Sequence, residues 1–137
     1  MLKRRAIASI AIAATIVLGT ASSAFAGGNY DYGESRTVLS NGDLYTKIWT
    51  NSNEQPNGSP YWTGEDIYVK TGGGAISLEF GFNYHGNSYG SDWQSESAGQ
   101  TNYQEWGDLG FDDCDDIVGW MAVSGENTYY NAPVTAC

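Results

Sequence analysis

Positive charge is scarce in this sequence, and that scarcity limits what the protein can bind. The 137 residues include six Lys and Arg against 16 Asp and Glu. Half of the basic residues, Lys3, Arg4 and Arg5, lie at the start, so residues 27–137 hold three basic and 16 acidic side chains, a net charge of −13. Proteins bind nucleic-acid backbones and anionic membranes through clusters of Lys and Arg. We therefore expect no nucleic acid and no membrane as partner, and favour another secreted protein with a basic surface, or a glycan.

Long apolar runs are also rare, since only one occurs, between residues 6 and 18. Basic residues precede it, and Ala24-Phe25-Ala26 behind it has the A-x-A form of a signal-peptide cleavage site. The run is short for a membrane span. The sequence therefore predicts a secretory signal peptide at residues 1–26 and a single secreted, extracellular β-domain at residues 27–137.

Helical periodicity is missing after residue 26, whereas two-residue alternation is clear. The pair Asn41-Gly42 is preferred in type I′ turns and predicts a hairpin with arms at 36–40 and 43–50. The strongest alternation, AISLEFGFNY at residues 75–84, puts one set of side chains on a buried face: Ile76, Leu78, Phe80, Phe82 and Tyr84. The same signals predict a loop at 51–60, a strand in 61–70 with Ile67 and Val69 on one face, and a last hairpin with arms at 117–124 and 127–131.

The segment 85–110 is rich in Gly, Ser, Asn and Gln, and we expect only one or two short strands in it, near Trp93 and residues 103–106. The whole pattern predicts an all-β protein, a single-domain antiparallel β-sandwich of about six to eight strands with one disulfide. The disulfide would join the two cysteines, Cys114 and Cys137, because an even pair in an exported protein usually forms a bridge. Two free thiols are the alternative.

Signals of catalysis are few. His85 is the only histidine, and no nucleophile motif accompanies it, so the sequence predicts a protein that is not an enzyme. A small glycoside hydrolase would need two carboxylates on either side of a sugar bond. Candidates for such a pair exist, but the sequence gives no distance between any two of them: Glu65, Asp66, Glu79, Glu96 and Glu105.

Four carboxylates surround the first cysteine, namely Asp112, Asp113, Asp115 and Asp116, with Asp108 nearby. Calcium is bound by six to eight oxygens, many from carboxylates, so this loop is a candidate calcium site. The EF-hand spacing is absent, and a solvated acidic loop or an electrostatic patch for a basic partner explains the same residues. No other cofactor is indicated.

Aromatic residues in polar surroundings are candidate binding residues: Tyr30, Tyr32, Trp93, Tyr103 and Trp106. Trp and Tyr are common anchors in protein interfaces, and they also stack on sugar rings. The alternatives are that the first two belong to a frayed terminus and that the other three attach a long loop to the sandwich.

The plan as a whole resembles small exported β-domain proteins of actinobacteria, among them the adaptor subunits of Streptomyces umbrella toxin particles. The resemblance rests on the signal peptide, the start GGNYDYG, the acidic β-domain and the end C…IVGW…PVTAC. It implies an adaptor that joins subunits of a secreted assembly, and it carries over no functional residue. We therefore expect a non-enzymatic protein-binding module, an adaptor or an inhibitor, with a glycan-binding module as the alternative and a small glycoside hydrolase third.

Overall fold

The computed structural model describes residues 26–29, 33–111 and 115–135. Within these ranges the chain forms eleven strands and no helix, and none of it could cross a membrane as a helix. The strands are β1 (Ala26–Asn29), β2 (Glu34–Leu39), β3 (Gly42–Glu54), β4 (Pro60–Lys70), β5 (Ile76–Tyr84), β6 (Asn87–Gly90), β7 (Gln94–Glu96), β8 (Thr101–Leu109), β9 (Asp116–Val123), β10 (Thr128–Tyr130) and β11 (Val134–Thr135).

The strands form two antiparallel sheets. One sheet has five strands in the order β1-β2-β3-β4-β8. The other has the order β10-β9-β5-β6, with β7 also paired to β5 and β11 to β9. The predicted all-β, antiparallel class is confirmed. The last hairpin is present as β9 and β10, and a short strand near Trp93 is present as β7. The strand number exceeds the predicted six to eight because β1, β6 and β11 have only two to four residues, too few to show a period of two. Cys114 and Cys137 lie outside the described residues.

The predicted hairpin and the predicted strand at residues 75–84 are both present. The predicted type I′ turn at Asn41-Gly42 is wrong, because Gly42 already pairs with Leu39 and Asn41 has no positive φ, so the turn is made by Ser40 and Asn41. The predicted loop at residues 51–60 is wrong at its two ends, because β3 continues to Glu54 and β4 begins at Pro60. A register shift interrupts the pairing of β3 with β4 after Thr50, and the pairing resumes where Glu54 lies beside Pro60.

The core lies between the two sheets, and both contribute to it. One cluster contains Leu44 and Tyr68 of the five-stranded sheet with Leu78, Phe80, Met121 and Val123 of the other sheet. A second cluster contains Ile48, Phe82, Phe111, Ile117 and Val134. Trp106 packs against both clusters. Two inner faces that share one apolar layer are the arrangement of a β-sandwich.

The five-stranded sheet places much of its polar sequence inward. Asp66 and Lys70 of β4 are buried, whereas Ile67 and Val69, which share a face as predicted, point to the opposite, outer side. Ser35 and Thr46 also face inward, since they occupy the same cross-strand row as Asp66. The outer side of this sheet therefore carries apolar side chains that the core does not use.

Candidate functional site

A row of four residues crosses the outer side of the five-stranded sheet. The register places Arg36 beside Tyr45, Tyr45 beside Ile67, and Ile67 beside Tyr103. Tyr103 is 61% exposed, and Val38 on the same side is 48% exposed. Antiparallel sheets usually present polar residues to water on the face opposite the core. We call Val38, Tyr45, Ile67 and Tyr103 the outer row, the apolar and aromatic side chains on the outer side of this sheet.

The two cations beside the outer row are both paired. Arg36 donates to the Asp43 carboxylate at 2.7 Å, and its guanidinium lies 5.6 Å from the centre of the Tyr45 ring. Lys47 lies 3.8 Å from a carboxylate oxygen of Glu34. These ion pairs are exposed and contribute little to stability. The register also places Lys47 beside Glu65, so Lys47 offsets part of the negative charge of the remaining carboxylates of this face.

Two such carboxylates stand opposite each other. The register pairs Glu65 of β4 with Glu105 of β8, next to Ile67 and Tyr103. Like charges directly opposite on neighbouring strands repel each other. Burial raises the pKa of Glu65, the charge of Lys47 lowers it, and the charge of Glu105 raises it. We call Glu65 and Glu105 the glutamate pair.

A second concave feature, the aromatic cleft, lies where the edges of the two sheets approach each other. Its volume is about 490 Å³, within the usual size of a small-ligand site. Residues from β5, β6, β8 and the chain after β8 line it: Phe82, Tyr84, Tyr89, Gly90, Trp106, Asp108, Leu109, Gly110 and Phe111.

Ring contacts hold the wall of the aromatic cleft in place. The ring of Phe82 stacks on Tyr89 with centroids 4.9 Å apart and meets Trp106 edge-on at 5.1 Å. Tyr84 meets Phe111 at 4.2 Å. Tyr89 is 46% exposed, so one aromatic face remains accessible to a ligand. The side chain of Asp108 accepts a hydrogen bond from Asn53 at 2.9 Å at the border of the cleft.

His85 lies beyond the end of β5 and is engaged by two neighbours. Its ring stacks on Tyr84 at 4.1 Å, and its Nε2 lies 2.6 Å from an Asp115 carboxylate oxygen. Asp115 was a candidate calcium ligand, and its partner here is this imidazole. Asp116 is exposed at the start of β9. Asp112 and Asp113 lie outside the described residues, and within the described part of the chain no three His, Cys, Asp or Glu side chains are grouped to hold a metal.

The predicted binding aromatics do not form one surface. Tyr103 belongs to the outer row, whereas Trp106 is half-buried and points inward to the aromatic cleft. Trp93 is 52% exposed in the link between β6 and β7. Tyr30 and Tyr32 lie outside the described residues.

Sequence reasoning missed several residues of these surfaces, above all Tyr45, Tyr89 and Phe111. Tyr45 lies between Leu44 and Thr46, and Ile67 lies between Asp66 and Tyr68, so the sequence does not show which side of the sheet these two residues face. Tyr89 and Phe111 come from distant segments that only the fold brings together.

No protein-family model, no curated protein and no solved structure matches this chain. The function is therefore argued from the surfaces themselves.

Proposed function

We propose that this chain is a non-enzymatic, secreted protein-binding module that holds its partner on the outer side of the five-stranded sheet. The observation that carries the proposal is the reversed placement of side chains in that sheet. Asp66 and Lys70 of β4 are buried, while Ile67 and Tyr103 face water in the same part of the sheet. Contiguous exposed apolar side chains with a polar border are typical of protein interfaces.

The chemistry of the partner follows from the charges on this face. The outer row offers aromatic and aliphatic contacts, and the glutamate pair offers two carboxylates without a cation of their own beyond Lys47. A matching partner presents an apolar patch with a Lys or Arg beside it. Because the whole chain is acidic, with a formal charge of −10, association with a basic surface is accelerated at low salt.

The resemblance to small exported actinobacterial proteins supports an adaptor role on this surface. An adaptor subunit of an extracellular assembly, such as a toxin particle, needs a stable and specific face for a second protein. An inhibitor needs the same. In either role the chain would be exported by the signal peptide proposed at residues 1–26 and would act outside the cell.

Alanine substitution on the outer row tests the proposal. The partner is first isolated with tagged residues 27–137 from the secretions of the producing organism, and its affinity is then measured by surface plasmon resonance. We expect Tyr103→Ala to weaken binding by about tenfold or more, equivalent to about 1.4 kcal/mol or more. Trp93→Ala is the matched control, because Trp93 is also an exposed aromatic and lies outside this face. Equal affinity of the wild type and Tyr103→Ala would place the interface elsewhere.

The glutamate pair is tested by kinetics. Glu65→Gln with Glu105→Gln keeps the size of both side chains and removes their charge. We expect a slower association and a weaker dependence of association on salt, with a smaller change in dissociation. An association rate that is unchanged at low salt would show that these carboxylates do not face the partner.

A glycan-binding module is the second candidate, and the aromatic cleft is the observation that favours it. Sugar rings stack on exposed aromatic faces, and Tyr89 presents one beside the Asp108 carboxylate. Electrophoresis in gels containing a neutral polysaccharide measures such binding as retardation. We expect that retardation, if it occurs, is lost in Tyr89→Ala and kept in Tyr103→Ala; migration unaffected by any neutral polysaccharide tested would count against this candidate.

A disulfide between Cys114 and Cys137 belongs to the same proposal. It would join the loop before β9 to the C-terminus and so restrain the unfolded chain. Alkylation of the native protein with and without reductant tests it. We expect two cysteines to become modifiable only after reduction.

A further inference from the structure

Three polar side chains form a closed group between the two sheets. Thr46 of β3 is 3% exposed, Asp66 of β4 is fully buried, and Asn131, which follows β10 in the other sheet, is 4% exposed. The Thr46 hydroxyl donates to Asp66 Oδ1 at 2.5 Å. Asn131 Nδ2 donates to Thr46 Oγ1 at 2.8 Å. The hydroxyl of Thr46 therefore lies between a carboxyl group and a carboxamide.

The hydrogen bonding of this group is incomplete. Asp66 Oδ2 and Asn131 Oδ1 are both buried without a hydrogen-bond partner. A buried oxygen left in that state costs about 1–3 kcal/mol, and such atoms in a folded protein need an explanation. Burial raises the pKa of Asp66 well above its usual range, the hydrogen bond from Thr46 lowers it, and the charge of Glu65 raises it, so the neutral acid is favoured.

We propose that Thr46 and Asn131 become joined by an intramolecular ester, with Asp66 as the proton relay. Thr46 Oγ1 attacks Asn131 Cγ and forms a C–O bond, and the Cγ–Nδ2 bond breaks. Asp66 Oδ1 takes the hydroxyl proton while Oδ2 gives its own proton to the departing nitrogen. One ammonia leaves, Asp66 ends as it began, and no oxidant, metal or other reactant is consumed.

The geometry suits this chemistry in three respects. First, Asp66 Oδ1 already accepts a hydrogen bond from the nucleophile, and Oδ2 has no hydrogen-bond partner, so no existing bond has to break before Oδ2 turns to the departing nitrogen. Second, Asn131 Nδ2 lies 2.8 Å from Thr46 Oγ1, which holds the carboxamide beside the nucleophile. Third, Gly119 of β9 packs against the group, and a Cβ atom there would overlap the side chains of Thr46 and Asp66.

The surroundings also protect the product. Water is excluded from all three side chains, which keeps an ester from hydrolysing. The new bond would link the five-stranded sheet to the segment after β10, across a sequence separation of 85 residues. This site is independent of the outer row and of the aromatic cleft.

Intact mass spectrometry of the purified, reduced and denatured chain tests the proposal. We expect a mass lower than that of the sequence by one ammonia, about 17 Da, and a proteolytic peptide that contains both Thr46 and Asn131. A succinimide at Asn41-Gly42 or Asn57-Gly58 would give the same mass change, so a variant must separate the two. Thr46→Val keeps the shape of the side chain and removes the nucleophile, and it should restore the full mass.

Two further variants complete the test. Thr37→Val is the matched control, because Thr37 is another buried threonine of the same sheet, donating to the Tyr130 carbonyl oxygen at 3.3 Å, and it should retain the loss of ammonia. Asp66→Asn should show the full mass, since it removes the relay. Where either of the Thr46 and Asp66 variants fails to fold, the wild-type peptide map decides. Separate peptides for Thr46 and Asn131 in the wild type, or the mass loss persisting in Thr46→Val, would overturn the proposal.

Discussion

Among individual residues, Glu96 is a buried carboxyl group outside the surfaces and the polar group described above. It lies in the short strand β7 and is 1% exposed. Burial raises its pKa to about 7, while the backbone amides of Lys70 and Asn102 and the charge of Lys70 lower it. Lys70 is itself buried and donates from Nζ to the Gly72 carbonyl oxygen at 2.6 Å. The neutral form of the Glu96 carboxyl group is therefore favoured up to a higher pH than in water.

The stability of the protein should depend on whether Glu96 is protonated. The folded pKa of about 7 exceeds the ordinary value of 4.5, so the folded state holds more protons between these two values. The contribution of Glu96 to the free energy of unfolding is therefore fully present below pH 4.5, and it is lost as the pH rises to about 7. We expect Glu96→Gln to raise the free energy of unfolding at pH 8 by about 1–2 kcal/mol and to change it little at pH 4.5. Urea unfolding at both pH values measures this, and an equal effect of the substitution at the two would contradict it.

Among the elements, β8 differs most from its sequence signal. Its residues, Thr101–Leu109, lie in a polar segment, yet they form a nine-residue strand at the edge of the five-stranded sheet. Besides its pairing with β4, the strand is held by Trp106, whose ring packs against both core clusters. The rest of its surface is largely exposed.

Two tryptophans of this segment should therefore behave differently. We expect Trp106→Ala to lower the free energy of unfolding by about 3 kcal/mol, because it empties a site shared by both core clusters. Trp93→Ala should change it by less than about 0.5 kcal/mol, since that side chain is 52% exposed. Denaturant titration followed by circular dichroism compares them; similar losses for both would mean that Trp106 does not anchor β8.

Strands β5 and β4 show how much of the fold can be predicted from the sequence. In β5 the alternating residues Leu78, Phe80 and Phe82 are all apolar, and the strand is buried as predicted. In β4 the alternation correctly places Ile67 and Val69 together but does not reveal that Asp66, Tyr68 and Lys70 face the core. A period of two identifies two faces, and only the packing of the other sheet decides which of them is inside.

The surfaces were less predictable than the strands for a related reason. Tyr103 and Trp93 stand in polar surroundings and are exposed, which local sequence indicated. The glutamate pair depends on the register between β4 and β8, which brings together Glu65 and Glu105, 40 residues apart in the sequence. The aromatic cleft depends on two sheet edges lying side by side. Neither arrangement leaves a local signal in the sequence.

For the whole molecule, the dominant property is its negative charge. The 16 acidic side chains outnumber the six Lys and Arg, and among the described residues Asp43 and Glu34 form ion pairs with Arg36 and Lys47. Excess charge of one sign keeps a protein soluble but repels itself in the compact state. Dissolved salt screens that repulsion, with a Debye length of about 10 Å at 0.1 M.

The melting temperature should consequently rise with salt. Between about 10 mM and 200 mM sodium chloride we expect an increase of about 2–6 °C, and little more at higher concentrations once screening is complete. Differential scanning calorimetry at fixed pH measures it. A melting temperature that falls over this range would show that the ion pairs at Arg36 and Lys47 outweigh the net repulsion.

The position of β8 also determines the order in which the chain can fold. The strands β2, β3 and β4 follow one another and pair as neighbours, so they can assemble early from local contacts. Strands β7 and β9 both pair with β5 in the second sheet. Between them the chain crosses to the five-stranded sheet, where it forms β8. The pairing of β9 with β5 must therefore close a loop that already contains β8. Closing such long loops is slow, and we expect refolding in milliseconds to seconds, with the β2–β4 segment protected from hydrogen exchange before β9.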